Sequence, residues 1–258
     1  MRRCAAEPDG PVPLAAGVPA GVRTVGPVDA EATRLVLVRH GEAQCSVDGV
    51  VGGPAGCRGL TSVGDTQAAA LRDRLLRTGE LRRASALYAS VLPRATQTAR
   101  IIAPAVGDGT LPLVEDCGLC ELHPGEADGL TWSEFTARYG TPDWDRDPSV
   151  PLAPGAESWS GFVTRAAAAL RSLAERHRGS QVVVTCHGGV IEAAMLALLP
   201  TAAARSRLKL QTANASLTEW ELGRFGWRPL RYNDAAHLSE PPPAAARRAR
   251  TAGPAQQA

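Results

Sequence analysis

The sequence predicts an α/β fold, a three-layer α/β/α sandwich around a mostly parallel central sheet, and three observations carry that reading. Short apolar runs alternate along the chain with longer segments of helical character, the order that βα units produce. Two of these runs, Leu35-Val36-Leu37-Val38 and Val182-Val183-Val184-Thr185-Cys186, are rich in β-branched residues and lack helical spacing, which marks them as buried strands. Each ends in a histidine followed by glycine, His40-Gly41 and His187-Gly188-Gly189. Open α/β sheets place ligands beyond the carboxyl ends of their strands, so the two His-Gly turns mark a site.

The other elements follow in order. A loop over 43–59 leads to a helix over about 62–77, opened by the cap candidates Thr61 and Ser62 and closed by Gly79. Leu87-Tyr88-Ala89 is the next strand, and a helix starts at Pro93, a residue suited to a first helical turn. Leu113 to Leu119 reads as a third strand. Residues 122–157 form the longest irregular stretch, with a short helix at 132–139. A helix over about 158–177 precedes the strand at 181–186, and His187-Gly188-Gly189 opens a helix to Leu199. Strands near 215–222 and 227–232 complete the sheet.

Composition fits an ordinary enzyme domain. A chain of 258 residues, 44% of them hydrophobic, is long enough for one domain with a sizeable core, expected over 32–239. Residues 1–31 and 240–258 are Pro-, Gly- and Ala-rich without hydrophobic period and read as disordered extensions. The cluster Arg247-Arg248-Ala249-Arg250 then belongs to a solvated tail. A net charge of +2 argues against nucleic acid as a partner. No apolar run reaches the ~18 residues that span a membrane. After Met1-Arg2-Arg3 the segment Cys4 to Asp9 breaks any secretory apolar stretch, so a cytoplasmic location is expected.

Six cysteines are present: Cys4, Cys45, Cys57, Cys117, Cys120 and Cys186. Cys117-x-x-Cys120 is the one close pair, whereas a zinc site wants a second, which Cys45 and Cys57 do not supply. The pair sits at a strand end and not at a helix start, unlike a redox pair. On a strand, positions three apart also face opposite sides. The cysteines therefore read as reduced, buried thiols, and a reducing compartment argues against a Cys45–Cys57 disulfide.

Five blocks in order carry a resemblance. They are Arg39-His40-Gly41-Glu42; Leu60-Thr61-Ser62-Val63-Gly64-Asp65-Thr66-Gln67-Ala68; Ser90-Val91-Leu92-Pro93-Arg94-Ala95-Thr96-Gln97-Thr98-Ala99; Glu121 with Gly125 and Gly129-Leu130-Thr131; and His187-Gly188-Gly189. Asn214-Ala215-Ser216 and Tyr232 to Leu238 add to them. Together they resemble the histidine phosphatase superfamily, which includes phosphoglycerate mutases and small-molecule phosphatases, over roughly residues 33–238. The resemblance implies a phosphoglycerate mutase-like fold and catalysis through a phosphohistidine.

The residue types suit that chemistry. An imidazole is neutral and nucleophilic near pH 7, which makes His40 the expected phosphoryl acceptor. Arg39 and Arg94 offer planar forks to the charge on the transferring group. His187 is expected on a further oxygen, and the helix starting at Gly188 turns amides towards the same anion. Glu121, in the family's acid-donor position, is the expected general acid and later the base for water. Holding its proton near neutral pH requires burial and the phosphate charge to raise its pKa. Gly41 and Ser46 complete the expected phosphate contacts. Ser46 stands where the family often has Asn, and Arg58, in a block that departs from the family pattern, is an additional candidate for the substrate. Because arginines and histidines supply the positive charge, no metal or other cofactor is expected.

Taken singly, Arg94 would read as a solvated arginine, Glu121 as a surface carboxylate and either histidine as structural. Their conjunction in the family's order reverses this. His123 and His177, without a matching motif, read as structural or solvent-facing, and His237 as ordering the terminus. Three functions remain: hydrolysis of small-molecule phosphomonoesters, phosphoglycerate mutase-type transfer, or a catalytically silent phosphate-binding scaffold. Residues 122–165 carry seven acidic side chains against three arginines, a poor match for the polyanion a mutase holds. The insertion at about 122–157 is the expected lid. Trp132, Phe135, Tyr139, Trp144, Trp159 and Phe162 cluster in or beside it.

Overall fold

The computed structural model describes residues 32–199 and 210–239; the two extensions expected to be disordered, 1–31 and 240–258, lie outside the described residues. In chain order the elements are β1 (Thr33–Arg39), α1 (Gln44–Val47), α2 (Ser62–Thr78), β2 (Ala84–Ala89), α3 (Pro93–Ile102), β3 (Leu113–Glu115), α4 (Trp132–Tyr139), α5 (Trp159–Arg176), β4 (Gln181–Cys186), α6 (Gly188–Leu198), β5 (Leu217–Gly223) and β6 (Gly226–Asp234).

Alternation along β1 sets the layering. Leu35 and Leu37 enter one core, with Phe162, Leu170 and Leu173 of α5 and Val190, Ile191 and Leu198 of α6. Val36 and Val38 point the other way, to Leu71 and Leu75 of α2 and Ile102 of α3. All four β1 side chains are fully buried, each stabilising the fold by about 1.5–3 kcal/mol. Successive residues of a strand face opposite sides, so one four-residue run binds both helical layers. The result is the α/β/α sandwich expected from the sequence.

The sheet runs β3-β2-β4-β1-β5-β6. β3, β2, β4 and β1 are mutually parallel, β5 is antiparallel to β1, and β6 is antiparallel to β5. The parallel strands therefore deliver their carboxyl ends to one edge of the molecule. Arg39 pairs with Cys186, and Ala89 with both Thr185 and Glu115, so the four strands stop almost level.

Local chemistry explains the boundaries. Thr61 caps α2, its hydroxyl accepting from the Gly64 amide at 3.0 Å, and Gly79 ends the helix at φ +67°. Ser158 caps α5 in the same way through Gly161. Thr131 and Glu134 form a reciprocal capping box on α4.

Three boundaries differ from expectation. β3 ends at Glu115 and does not reach Leu119, because the Asp116 carboxylate accepts from the Gly118 amide at 2.7 Å and turns Cys117–Leu119 into a 3-10 helix. The 43–59 loop contains the one-turn helix α1, held from outside by Gln44 N–H to Gly59 O at 2.9 Å and by no side-chain cap. The last hairpin extends further than expected, to Gly223 on one arm and Asp234 on the other. Arg74 clamps that end to α2 with a bidentate pair to Asp234 at 2.6 and 2.9 Å.

Candidate active site

β1 and β4 are parallel neighbours, so the residues that follow them, His40 and His187, leave the sheet side by side. Their ring centroids are 5.1 Å apart with the planes inclined at 62°. His40 is anchored by its own backbone: its amide donates to Cys186 O at 3.0 Å, and its carbonyl accepts from Ala215 N and from Asn214 Nδ2 at 3.2 and 3.1 Å. Ala215 sits at φ +55°, a left-handed conformation uncommon for a residue with a Cβ and held here by the grip on His40.

The tautomer of His40 follows from its partner. Nδ1 lies 2.6 Å from the Gly41 carbonyl, which can only accept, so Nδ1 carries the proton and Nε2 carries the lone pair. Arg94 Nε donates to that Nε2 and to His187 Nδ1, each at 3.2 Å. His187 must then carry its proton on Nε2, which lies 2.8 Å from Ser90 Oγ. The Ser90 hydroxyl donates onward to Cys120 Sγ at 3.3 Å. A directed chain of donors thus fixes both imidazoles as neutral rings.

Electrostatics agree. Burial first, and the Arg94 guanidinium second, hold the pKa of both His40 and His187 well below that of an ordinary histidine. Arg94 is itself buried, with a second donor on Gly52 O at 2.7 Å. Arg39 reaches the carbonyl of Thr212 with one terminal nitrogen. Its Nε is buried without a partner among the described residues. An unmade bond of that kind costs about 1–3 kcal/mol, so an acceptor placed there would stabilise the site. Glu121 follows β3 and faces the same space, its oxygens accepting from Leu122 N at 3.2 Å and Gly189 N at 3.0 Å. The site is thus assembled from loops at the carboxyl ends of all four parallel strands.

These groups open into a cavity of about 820 Å³. Of the residues expected from the sequence, Arg39, His40, Arg94, Glu121, Ser46 and Gly188 line it. His187 lies behind Arg94, fully buried and outside the lining. Gly41 is committed elsewhere: its amide donates to Thr98 Oγ1 at 3.1 Å, and a Cβ would come within 2.5 Å of Gly64 O. It is a close-packing glycine and not a phosphate contact. Arg58 is exposed on the loop and does not line the cavity.

Sequence reasoning assigned no role to several residues that hold the site. Ser90 and Asn214 sat inside the recognised blocks. Asp128 accepts from the amides of Gly53, Ala55 and Gly56 at 2.8–2.9 Å and so ties the 122–157 insertion to the loop that follows α1. Arg165 reaches the carbonyls of Cys117, Gly118, Cys120 and Glu121 while paired with Glu157, which fixes the backbone that presents Glu121. On α5 it read as one more polar helical position, and no local pattern marks it. His177 accords with its structural reading, 3.0 Å from the Tyr88 hydroxyl. His237 is buried in a 3-10 turn packed near α2.

The insertion at about 122–157, too, is more structured than its composition implied. Phe135 of α4 packs with Val51, Ala127 and Ala153 in a small core of its own. Trp144 stacks on Trp159 at 5.7 Å and both line the cavity, whereas Phe162 belongs to the main core. Cys45 and Cys57 are buried free thiols, with no disulfide between them.

This constellation is that of a phosphohistidine enzyme. The sequence profile of the histidine phosphatase superfamily, branch 1, matches residues 35–235, and the chain belongs to that family. A metal-independent phosphoserine phosphatase from Arabidopsis thaliana is 33% identical over 220 residues, which cover 82% of this chain and 86% of that one. A 2,3-bisphosphoglycerate-dependent phosphoglycerate mutase from a Methylobacterium is 33% identical over 171 residues, 64% of this chain and 79% of the relative. Among solved structures, a mycobacterial glucosyl-3-phosphoglycerate phosphatase in complex with VO3 superposes with a TM-score of 0.63 at 27% identity, over 78% of this chain and 99% of its own.

Two outcomes test the geometry. His40→Ala should abolish both turnover and acid-labile phosphoenzyme labelling, whereas His187→Ala should slow labelling without removing it; rapid-quench labelling that survives in His40→Ala refutes the assignment. The second concerns pH. Both histidines titrate lower in the folded chain than in the unfolded one, where the pKa is ~6.5. The unfolded state therefore binds more protons below that pH, and stability falls as pH drops from ~6.5 towards the depressed folded values. Thermal melts between pH 7 and pH 5 should show a decline that is shallower in His187→Gln. Parallel curves for the two proteins would contradict it.

Proposed function

We propose that the protein hydrolyses small-molecule phosphomonoesters through a phosphohistidine on His40 Nε2, and that its preferred substrate carries a bulky, uncharged, ring-bearing body. In the first step Nε2 attacks phosphorus while Arg39 and Arg94 take up charge on the equatorial oxygens. His187, bonded to Arg94, positions that guanidinium, and Ser46 and the amides at the start of α6 face the same anion. The ester oxygen leaves with a proton from Glu121. In the second step Glu121 takes a proton from water, which displaces the phosphoryl group from His40.

The observation that carries the substrate class is the wall of the cavity. Among the described residues its cationic side chains, Arg39 and Arg94, both stand at His40. Besides Glu121 and the Cys45 thiol, the rest is Trp132, Phe135, Trp144 and Trp159 with aliphatic, amide and hydroxyl groups. Aromatic faces suit sugar or aromatic rings, and among the described residues no second cationic cluster is offered to a distant carboxylate or phosphate. A space of about 820 Å³ also exceeds what phosphoserine or phosphoglycerate fills. Phosphoglycerate mutase-type transfer must bind a second anionic group, which this wall does not favour.

Two measurements follow. Glu121→Gln can neither give nor take the proton, so hydrolysis of alkyl phosphates should fall at least about a hundredfold, and that of p-nitrophenyl phosphate far less. Equal losses on both would count against the acid role. Across a substrate panel, kcat/KM for sugar or aryl monophosphates should exceed that for 3-phosphoglycerate and fructose 2,6-bisphosphate. Trp144→Ala should raise KM for the bulky ester and leave inhibition by inorganic phosphate unchanged. A preference for phosphoglycerate, or mutase turnover with 2,3-bisphosphoglycerate, would favour the mutase reading instead.

A further inference from the structure

Outside the phosphate cavity, three metal-ligating side chains converge. The 3-10 turn Cys117–Leu119 begins at Cys117, and Cys120 follows it. Positions three apart eclipse in such a turn, whereas on the strand expected here they would diverge. The chain then folds back, and His123 Nε2 comes to 3.5 Å from Cys117 Sγ. One ligand atom from each of Cys117, Cys120 and His123 lies within 4.8 Å of the other two. A tetrahedral ion with bonds of about 2.3 Å to sulfur and about 2.0 Å to nitrogen holds such atoms roughly 3.5–3.8 Å apart. Closure by an ångström or less completes that geometry.

Groups around the cluster point the same way. His123 Nδ1 faces Glu157 Oε2 at 3.6 Å, which leaves Nε2 on the sulfur side. A carboxylate behind a histidine is the usual outer partner of a ligating imidazole. Cys120 Sγ already accepts the Ser90 hydroxyl at 3.3 Å, a bond that a thiolate accepts more strongly. The Arg165 guanidinium bonds the carbonyls of Cys117, Gly118 and Cys120 and sets a positive charge beside both sulfurs. Cys120 is buried, His123 is partly buried and Cys117 is exposed, so an ion can enter from solvent.

We propose that Cys117, Cys120 and His123 bind one thiophilic divalent cation, Zn²⁺ in the first place, through two thiolates and an imidazole, with a fourth position open to water. Each thiol releases one proton to solvent as its bond to the metal forms, and nothing is oxidised or reduced. The ligands lie outside the cavity lining, yet Cys120 is joined to His187 through Ser90 and the three ligands bracket Glu121, so occupancy pins the segment that presents the general acid.

The test uses the full chain, reduced and stripped with a chelator. Titration with Co²⁺ should give a thiolate-to-metal charge-transfer band that saturates at one equivalent, and Zn²⁺ should displace it. Free Zn²⁺ at a hundredfold above its Kd should raise Tm by about 5 °C or more. Cys117→Ser and His123→Ala, at positions that are exposed or half-exposed, should keep the metal-free Tm, lose the band and lose the Zn²⁺-dependent shift. Cys45→Ser and His40→Ala should keep both signals. No band in the reduced wild type would overturn the proposal. So would a band that persists in both Cys117→Ser and His123→Ala, or one lost in Cys45→Ser or His40→Ala, which would place the ion in the phosphate cavity.

Discussion

Everything at the site depends on the parallel pairing of β1 with β4. Register brings Arg39 opposite Cys186, and the two histidines that follow emerge with their rings in contact. A slip of one residue would turn every β1 side chain to the opposite face. Leu35 and Leu37 would then exchange layers with Val36 and Val38, and both cores would be lost together. Hydrophobic packing in the middle of the sheet therefore fixes the position of His40 at its edge. Arg94 exploits that placement, because one Nε can reach two imidazole nitrogens only when the rings stand side by side.

Much of this was legible because the signals are local and strong. Four apolar residues, then a histidine and a glycine, predict both a strand and its functional end. The same holds for Arg94, whose block places a proline at the first position of α3. What stayed hidden depends on tertiary contact. Asp128 and Arg165 grip backbone atoms of segments distant in sequence, and such bonds leave no period or motif. The end of β3 was hidden for a different reason: Leu113 to Leu119 has the apolar pattern of a strand, but the Asp116 side chain competes successfully for the backbone amide of Gly118. That single turn also reverses the geometric argument against the Cys117–Cys120 pair, since the argument assumed a strand. Gly41 shows the converse. Its motif is informative, yet the glycine is required by contact with Gly64 and not by the anion.

The charges around His40 favour an anion at that end of the cavity. Two imidazoles and two guanidiniums meet there, and the buried Arg39 Nε has no acceptor among the described residues. Burial and like charge oppose protonation of the rings, so the imidazoles add no positive charge, and the arginines keep theirs. When a phosphoryl dianion arrives, it supplies acceptors and opposite charge together, and its interactions strengthen as charge shifts towards the equatorial oxygens in the transition state. Binding energy is thereby concentrated on the group that reacts. Further from His40 the described wall is built from the stacked indoles Trp144 and Trp159, which offer flat apolar faces to the remainder of a substrate.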